Sequence, residues 1–273
     1  MNRDKLAQNL EYAVIAAMNG GNEIMNIYTS ESIKIETKED NSPVTQADIA
    51  ASDAILKILE QTHIPIICEE TAQTPFSERK NWEYVWIVDP LDGTKEFISR
   101  NDEFTVNIAL IHNNTPVLGV IYVPADDSLY FGTNTDGAYT IQQTSIVLPD
   151  FRYSSLIQYG TSLPFFQESA EITIVASKSH KSAETELAIS EIQKKHPHAK
   201  TVSIGSSLKF CIVANGHANI YPRFGPTCEW DTAAGDAIAR ASGCKTYNTE
   251  THEPLLYNNK EDFFNPYFIV ERT

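Results

Sequence analysis

The stretch "WIVDPLDGTKEF" at residues 86–97 constrains the fold more than any other part of the chain. Its first three letters, residues 86–88, form an apolar run typical of a buried strand. Pro90 is expected to end that strand because proline cannot donate to a ladder, which leaves Asp89 and Asp92 at the strand end. A surface turn would use the same residue types, since Asp, Pro and Gly favour turns for local backbone reasons. The rest of the sequence must distinguish a turn from a site.

The charge of the chain limits its partners. A formal net charge of −15 over 273 residues argues against nucleic acids, which are bound through basic surfaces. A small phosphate ester is compatible if divalent cations reverse the sign of the charge in an acidic site. With 42% hydrophobic and 21% charged residues, the composition is that of a globular protein with a sizeable core.

The cysteines and the N-terminal residues bear on location. None of Cys68, Cys211, Cys228 and Cys244 forms a Cys-x-x-Cys pair or has metal-ligand spacing with histidine. We therefore expect reduced and mostly buried thiols in a cytoplasmic protein. The start "MNRDKLAQNL" lacks the apolar stretch of a signal peptide, and no run approaches the ~18 apolar residues of a membrane span. Peripheral contact with the inner face of the cell membrane stays open.

The first half of the chain reads as helices followed by strands. Residues 5–27 have apolar positions at helical spacing, with a weakening expected at Gly20-Gly21. A second helix is expected after Thr45, a good N-cap, with Ile49 on its apolar face. The runs "FTVNIALIHN", "TPVLGVIYVP" and "SLYFGT" then predict antiparallel hairpins. This order predicts an α+β first half.

The second half alternates between strands and helices. Strands are expected at "ITIVAS", "AKTVSI" and "ANIYP", and helices at 182–195, "SLKFCIVANG" and "DTAAGDAIARASG". Alternation of this kind predicts an α/β layer with a parallel or mixed sheet. We place the boundary between an α+β domain, residues 1–155, and an α/β domain, residues 156–273, in the weakly periodic stretch between the two patterns.

Acidic residues recur where strands end or a helix begins. Glu69 and Glu70 follow the expected strand "IPIIC", Asp89 and Asp92 follow the next, and Asp231 opens the last helix. Mg²⁺ prefers oxygen ligands, usually one or two carboxylates per ion, and two ions can clamp both oxygens of a phosphate displacement. The single residues also have simpler explanations, because an aspartate in a first helical turn favours the helix dipole without any metal.

Gly93 and Thr94 open an expected short helix directly after the aspartates. Their backbone N–H groups could bind a phosphate at the helix N-terminus, although Thr94 could equally be an ordinary N-cap. Asp48, near the start of the second helix, has an ordinary explanation as a solvated acid of the first turn.

Three motifs occur in order: "EE" at 69–70, "DPLDGT" at 89–94 and "WDTAAGDA" at 230–237. Together they resemble the Mg²⁺-dependent, lithium-sensitive phosphatase superfamily of inositol monophosphatases, fructose-1,6-bisphosphatases and bisphosphate nucleotidases. The resemblance extends from "SPVTQAD" to "NPYFIV" and is greatest to the bacterial 3'(2'),5'-bisphosphate nucleotidase branch. It implies a fold that is α+β and α/β, an inositol monophosphatase / fructose-1,6-bisphosphatase-like layered α-β-α-β-α sandwich.

The resemblance also implies a role for each acidic residue. Two or more Mg²⁺ ions per site would be held by Glu69, Asp89, the Leu91 carbonyl, Asp92 and Asp231. Asp48 and Thr94 would activate the attacking water. Glu70 would support the ligands, hold a water at the metal, or ligate directly. Most metal ligands would then lie in the first domain, and Asp231 would lie with the nucleotide-binding residues in the second.

Motifs of the second half, "SKSH" at 177–180, "GSSLKF" at 205–210 and "YPRFGP" at 221–226, resemble the nucleotidase branch. His180 would contact the base, and Ser206, Lys209 and Arg223 would bind a remote phosphate, which needs its own cations. Lysine stands in "SKSH" where the branch usually has arginine, which keeps the charge but changes the contact. A solvated lysine or an idle loop histidine would be the ordinary explanation. The residues expected around the substrate are Glu69, Leu91, Asp92, Gly93, Thr94, His180, Ser206, Lys209, Arg223 and Asp231.

The resemblance implies that the protein hydrolyses the 3'-phosphate of adenosine 3',5'-bisphosphate to AMP and phosphate, with the sulfated analogue as a further substrate. Such an activity would belong to sulfur metabolism. Two alternatives stay open. One is an inositol monophosphatase or another small phosphomonoesterase with the same metal chemistry. The other is a non-enzymatic regulator that binds a nucleotide or metal, which would have no need of a water-activating pair.

Overall fold

The computed structural model describes residues 1–30, 35–37, 43–165, 171–178 and 182–272. Within these ranges no helix is both long enough and apolar enough to span a bilayer. The helices are α1 Arg3–Tyr28, α2 Gln46–Leu59, α3 Phe76–Arg79, α4 Thr94–Ile98, α5 Thr144–Val147, α6 Tyr153–Tyr159, α7 Ala183–Lys195, α8 Leu208–Ala214 and α9 Glu229–Ala241. A 3-10 turn at Glu60–Thr62 follows α2.

The strands form two large sheets and one short hairpin. Their bounds are β1 Ile35–Thr37, β2 Pro43–Thr45, β3 Ile66–Cys68, β4 Tyr84–Asp92, β5 Thr105–His112, β6 Thr115–Val123, β7 Ser128–Thr133, β8 Gly137–Ile141, β9 Thr161–Ser162, β10 Thr173–Ser177, β11 Lys200–Ile204, β12 Ile220–Arg223, β13 Cys244–Asn248 and β14 Phe268–Arg272. The seven-stranded sheet has the order β3-β4-β5-β6-β7-β8-β9, and the five-stranded sheet has the order β11-β10-β12-β14-β13.

The elements stack in five layers. Helices α1 and α2 pack together against one face of the seven-stranded sheet, and α9 packs against the other face of the same sheet. Helix α8 lies beside α9 and contacts β10, β12 and β14 of the five-stranded sheet, and α7 contacts β12. This arrangement confirms the predicted layered α-β-α-β-α sandwich.

Strand β4 is buried on both faces, which explains its continuous apolar sequence. Trp86 and Val88 belong to the core formed with α1 and α2. Val85 and Ile87 alternate with them and belong to the second core, formed with α8 and α9. The strand therefore lies between two helical layers, which determine where its C-terminal end is placed.

The structure corrects the expectation that Pro90 ends β4. The strand continues to Asp92, and its register with β5 shifts between Asp89, which pairs with Asn107, and Asp92, which pairs with Thr105. A bulge of this kind accommodates a proline because the extra residue needs no ladder hydrogen bond. The bulge sets the spacing of the two aspartates.

The expected weakening of the first helix at Gly20-Gly21 is also wrong, because α1 runs through both residues. A Cβ on Gly20 would lie 2.8 Å from Ile55 of α2, and one on Gly21 would lie 2.4 Å from the ring of Tyr122 on β6. The glycines permit close packing of α1 on its neighbours, which compensates for their low helix propensity.

Other elements agree with the sequence in type. Thr45 caps α2, and the expected antiparallel hairpins are β5 to β7. Ile49 is the exception on its helix face, because it is 49% exposed. The sequence did not predict β8, β13 and β14, and the division at residue 155 stays a prediction, although β9 extends the first sheet beyond it.

Candidate active site

Three aspartates meet at the junction between the bulge of β4 and the first turn of α9. Ligand oxygens of Asp89, Asp92 and Asp231 all lie within 4.8 Å of one another. Oδ1 of Asp89 accepts a hydrogen bond from the N–H of Leu91 at 3.0 Å, and Oδ2 of Asp231 accepts one from the N–H of Cys228 at 2.8 Å. The backbone therefore orients two of the three carboxylates before any ligand binds.

The electrostatics of this cluster favour a bound cation. Burial raises the pKa of Asp89 well above its usual range, and the charges of Glu69, Asp92 and Asp231 raise it further. Burial and then Asp92 raise the pKa of Asp231 to about 8. Oδ2 of Asp89 is buried, and no described residue donates a hydrogen bond to it. Carboxylates that repel one another, with a buried oxygen unsatisfied, are a donor set that a divalent metal ion fits.

Glu69 and Glu70 lie just after β3, which pairs in parallel with β4. The N–H of Glu69 donates to the carbonyl of Val88 at 3.1 Å, which holds this turn beside the aspartates. The side chain of Glu69 lines the same cavity as Asp92 and Asp231. The structure thus brings Glu69 to the cluster, while the role of Glu70 stays a prediction.

Asp48 and Thr94 form a hydrogen-bonded pair, with Oγ1 of Thr94 3.2 Å from Oδ1 of Asp48. The other oxygen, Oδ2 of Asp48, accepts from the N–H and the hydroxyl of Thr45, both at 2.7 Å, in the capping box of α2. Asp48 is only 2% exposed, so its explanation as a solvated acid is wrong. The same carboxylate both caps a helix and orients Thr94.

Thr94 is not an N-cap, because Gly93 occupies that position of α4. Gly93 has φ +92°, and a Cβ there would lie 3.0 Å from the carbonyl of Glu103. The turn frees the hydroxyl of Thr94 for Asp48 and places it 3.4 Å from the Leu91 carbonyl. Gly93 and Thr94 both line the cavity.

The cavity beside the aspartates measures about 280 Å³. Its lining includes two buried cations, Lys209 on α8 and Arg223 at the end of β12, together with Ser206. Nζ of Lys209 donates to the carbonyl of Ser206 and lies 5.6 Å from the ring centre of Tyr221. Burial, opposed by the charge of Asp92, lowers the pKa of Lys209 to about 8.

Arg223 is constrained but has spare hydrogen-bonding capacity. Its Nη2 donates to the carbonyl of Pro226 at 2.8 Å, whereas its buried Nε has no partner among the described residues. Buried N–H groups without a partner are costly, and an anion in the cavity could satisfy them. Lys209 and Arg223 therefore make part of this acidic cavity suited to a second negative group.

The expected base contact, His180, lies outside the described residues. Lys178 is described, and its Nζ lies 3.1 Å from Oε1 of Glu103. Oε2 of Glu103 accepts from the N–H of Gly205 at 2.8 Å, so one carboxylate joins the segment that leads to His180 with the loop before α8. The sequence did not predict these contacts of Glu103 with Lys178 and Gly205.

Two polar residues behind the aspartates, Asn107 of β5 and Ser207 at the N-cap of α8, were not predicted from the sequence. Asn107 is 1% exposed and Ser207 is 3% exposed. A sequence signal existed for Asn107, since a polar amide in the apolar run "FTVNIALIHN" needs buried partners. For Ser207 there was none, because serine is an ordinary residue before a helix.

Comparison with known proteins identifies relatives along most of the chain. Residues 5–266 match the model of the inositol monophosphatase family. The 3'(2'),5'-bisphosphate nucleotidase CysQ of Shigella flexneri is 42% identical over 257 residues, 93% of this chain and 96% of the relative. The protein of the same name from Salmonella typhimurium is 41% identical over 264 residues, 96% of this chain and 98% of the relative.

A solved structure agrees with these relatives. The crystal structure of CysQ from Bacteroides thetaiotaomicron, described as a bacterial member of the inositol monophosphatase family, superimposes with a TM-score of 0.90. It is 46% identical in sequence, and the match covers 97% of each chain. The similarity thus includes both halves of the fold and the junction where the aspartates meet.

Proposed function

Since the chain belongs to the inositol monophosphatase family, we propose that it is a 3'(2'),5'-bisphosphate nucleotidase that hydrolyses adenosine 3',5'-bisphosphate to AMP and phosphate. The observation that carries the proposal is one cavity lined both by Asp92 and Asp231 and by the buried cations Lys209 and Arg223. A substrate with two phosphates offers one to each set of residues. The sulfated analogue, which has its 3'-phosphate at the same position, is included as a further substrate.

The acidic cluster would hold the metal ions, which we propose are two or more Mg²⁺. Asp89, Asp92, Asp231 and Glu69 would supply carboxylate oxygens, and Leu91 would supply its carbonyl. When bound, such ions polarise the phosphoryl group and neutralise charge in the displacement. Glu70, beside Glu69, would support this set, hold a water at the metal or ligate directly.

Asp48 and Thr94 would move the proton of the attacking water. Oδ2 of Asp48 accepts from Thr45 and Oδ1 accepts from Thr94, so Oδ1 is the oxygen that would take a proton from Thr94. Thr94 Oγ1 can then accept a proton from water in the cavity while it gives its own to Asp48. The water oxygen attacks phosphorus, the bond from phosphorus to the 3'-oxygen breaks, and that oxygen takes a proton from solvent while Asp48 returns its proton to solvent. The N–H groups of Gly93 and Thr94 would hold the transferred phosphoryl group.

The second phosphate would lie against Lys209, Arg223 and Ser206. Charge-assisted hydrogen bonds from buried cations to a phosphate are short and strong, and the partnerless Nε of Arg223 would gain an acceptor. His180 stays the proposed contact for the base. The four free cysteines favour a reducing compartment, so a cytoplasmic location is part of the proposal.

Phosphate release from matched substrates tests the proposal. Adenosine 3',5'-bisphosphate and adenosine 3'-monophosphate differ only in the 5'-phosphate, and inositol 1-phosphate has neither the base nor the second phosphate. We expect the highest kcat/KM for the bisphosphate. Its product should be AMP that carries its one phosphate at the 5' position. Removal of divalent ions with EDTA should abolish phosphate release. Equal rates on all three would favour a less specific phosphomonoesterase, and binding without release would favour a regulator.

A further inference from the structure

Behind the three aspartates lies a buried group of polar side chains, Thr105, Asn107 and Ser207. The hydroxyl of Thr105 donates to Oδ1 of Asn107 at 3.0 Å, which fixes which end of the amide faces the site. Nδ2 of Asn107 then donates to Oγ of Ser207 at 2.9 Å and lies 3.4 Å from Oδ2 of Asp92. The amide nitrogen therefore points at Ser207 and Asp92 together.

The hydroxyl of Ser207 faces two acceptors. Its Oγ lies 2.7 Å from Oδ2 of Asp92 and 2.7 Å from the main-chain carbonyl of Asp231. A hydroxyl carries one proton, and Asn107 already donates to its oxygen, so that proton must go to Asp92 or Asp231. A carboxylate is the stronger acceptor, which favours Oδ2 of Asp92.

The hydroxyl of Ser207 does not cap α8. Ser207 occupies the N-cap of α8 with φ −72° and ψ −2°, a helical conformation rather than the extended one of a side-chain cap, and its side chain makes no capping hydrogen bond. Ser207 is 3% exposed, so water does not compete for its hydroxyl. The hydroxyl is therefore available for the contact with Asp92.

The bulge of β4 explains how Asn107 reaches the same carboxylate. Asn107 is the cross-strand partner of Asp89, and without the shift in register it would lie away from Asp92. The bulge pairs Asp92 with Thr105 of β5 and so places its carboxylate next to the amide of Asn107. Oδ2 of Asp92 is thus engaged by two buried side chains from β5 and α8, and its Oδ1 is left for a ligand.

We infer that Ser207, supported by Asn107, is a positioning residue that holds Asp92 in the arrangement that binds a metal ion. The inference rests on the proposed function, because it assigns the metal to the acidic cluster. Residues that orient metal ligands typically contribute about 10–100-fold in metal affinity or activity.

The test measures metal binding by the protein alone. Mn²⁺ is titrated into metal-free protein, free ion is followed by its EPR signal, and Mg²⁺ is then added as a competitor. We expect Ser207→Ala to weaken Mn²⁺ binding by about 10-fold or more, and Ser207→Thr, which keeps the hydroxyl, to recover most of it. Ser242→Ala is the matched control, because Ser242 is also buried and its hydroxyl donates to the carbonyl of Ala239 and lies 3.5 Å from Sγ of Cys244.

A second variant and a double mutant keep the test decisive. Asn107→Ala should weaken binding in the same direction, and the double variant Asn107→Ala with Ser207→Ala should lose less than the sum of the two, because both act on one oxygen. Wild-type binding by Ser207→Ala overturns the inference, and if that variant does not fold, wild-type binding by Asn107→Ala does so.

Activity provides a second readout that separates this inference from the proposed function. Both substrates use the metal site, so Ser207→Ala should lower kcat for adenosine 3',5'-bisphosphate and adenosine 3'-monophosphate by the same factor, and added Mg²⁺ should restore part of it. A loss confined to KM for the bisphosphate would overturn the positioning role. Failure of the wild-type protein to bind Mn²⁺ would instead overturn the proposed function.

Discussion

Asp48 divides its two carboxylate oxygens between Thr45 and Thr94, so that one oxygen caps α2 while the other accepts from the hydroxyl of Thr94 at 3.2 Å. Helix α2 and the start of α4 are thereby joined at one side chain. The contact with Asp48 holds the hydroxyl of Thr94 toward the cavity, so its loss should lower the rate of hydrolysis. Loss of the helix cap alone should not. The two roles can be separated by changing one partner at a time.

Thr94→Ala should lower kcat by about 10²–10⁴-fold with little change in KM, because it removes the hydroxyl that passes a proton from water to Asp48. Thr45→Ala is the matched control, since it removes the cap and leaves the contact between Asp48 and Thr94. That control should cost about 1 kcal/mol of stability and little activity. Single-turnover rates and thermal unfolding of both variants provide the comparison. A rise in KM alone for Thr94→Ala would reduce Thr94 to a structural residue.

Asp89→Asn should abolish turnover and stabilise the metal-free protein at neutral pH. The folded protein holds protons on Asp89 and Asp231 more tightly than the unfolded chain, where aspartate titrates near pKa 3.9. Metal-free protein should therefore lose stability as pH rises from about 4 to about 8, because in that range the folded state binds protons that the unfolded state has released. The variant removes part of that loss, and its Oδ1 can still accept from Leu91.

Thermal unfolding in EDTA at several pH values checks this expectation. Each kcal/mol corresponds to about 2–4 °C in a chain of roughly this size. Asp53→Asn, an exposed acid on α2, is the control and should follow the wild-type curve. Parallel curves for wild type and Asp89→Asn would show that mutual repulsion in the cluster does not limit stability. Turnover by Asp89→Asn at saturating Mg²⁺ would contradict its assignment as a metal ligand.

The sequence was sufficient to predict the elements that carry the acidic residues, but it did not predict the buried polar residues behind them. Asp89 and Asp231 were predictable because an apolar strand and an amphipathic helix each mark the position where a carboxylate begins a turn. The bulge at Pro90 was not, since it depends on the register between β4 and β5. Ser207 lies far along the chain from Asp92, and only the packing of α8 in the completed fold brings them together.

Gly20 and Gly21 show the same limit for the fold. Local propensity predicts a weak point in α1, whereas the tight approach of Ile55 and Tyr122 makes any larger residue unsuitable there. Propensity describes an isolated helix, and packing against two neighbours outweighs it.

Lys209→Ala should lower kcat/KM for adenosine 3',5'-bisphosphate by about one to two orders of magnitude. A hydrogen bond to a charged group contributes roughly 1.5–3 kcal/mol, and each 1.4 kcal/mol is about tenfold. Adenosine 3'-monophosphate lacks the group that Lys209 would bind, so its kcat/KM should barely change. Lys200→Ala, which removes an exposed lysine of β11, controls for the change in net charge. An equal loss on both substrates would remove Lys209 from the second phosphate site.

The pKa of Lys209 predicts a pH dependence that belongs to one substrate only. Burial lowers this pKa to about 8, so the free enzyme loses the ammonium charge as pH rises through that value. The ratio of kcat/KM for the bisphosphate to kcat/KM for adenosine 3'-monophosphate should therefore fall above pH 8. Taking the ratio cancels the ionisation of the metal cluster and of the water, because both substrates depend on them equally.

The contribution of Lys209 to the free energy of unfolding should rise over the same pH range in which the substrate ratio falls. The unfolded chain keeps a proton on lysine up to about pH 10.4, while the folded protein has released it from Lys209 above about pH 8. Between these values the unfolded state binds more protons, so this residue makes the folded state more stable as pH rises.

Lys209→Met has no charge to lose, and its substrate ratio should be low and flat from pH 7 to 9.5. A ratio that falls equally steeply in Lys209→Met would assign the pH dependence to another group of the site.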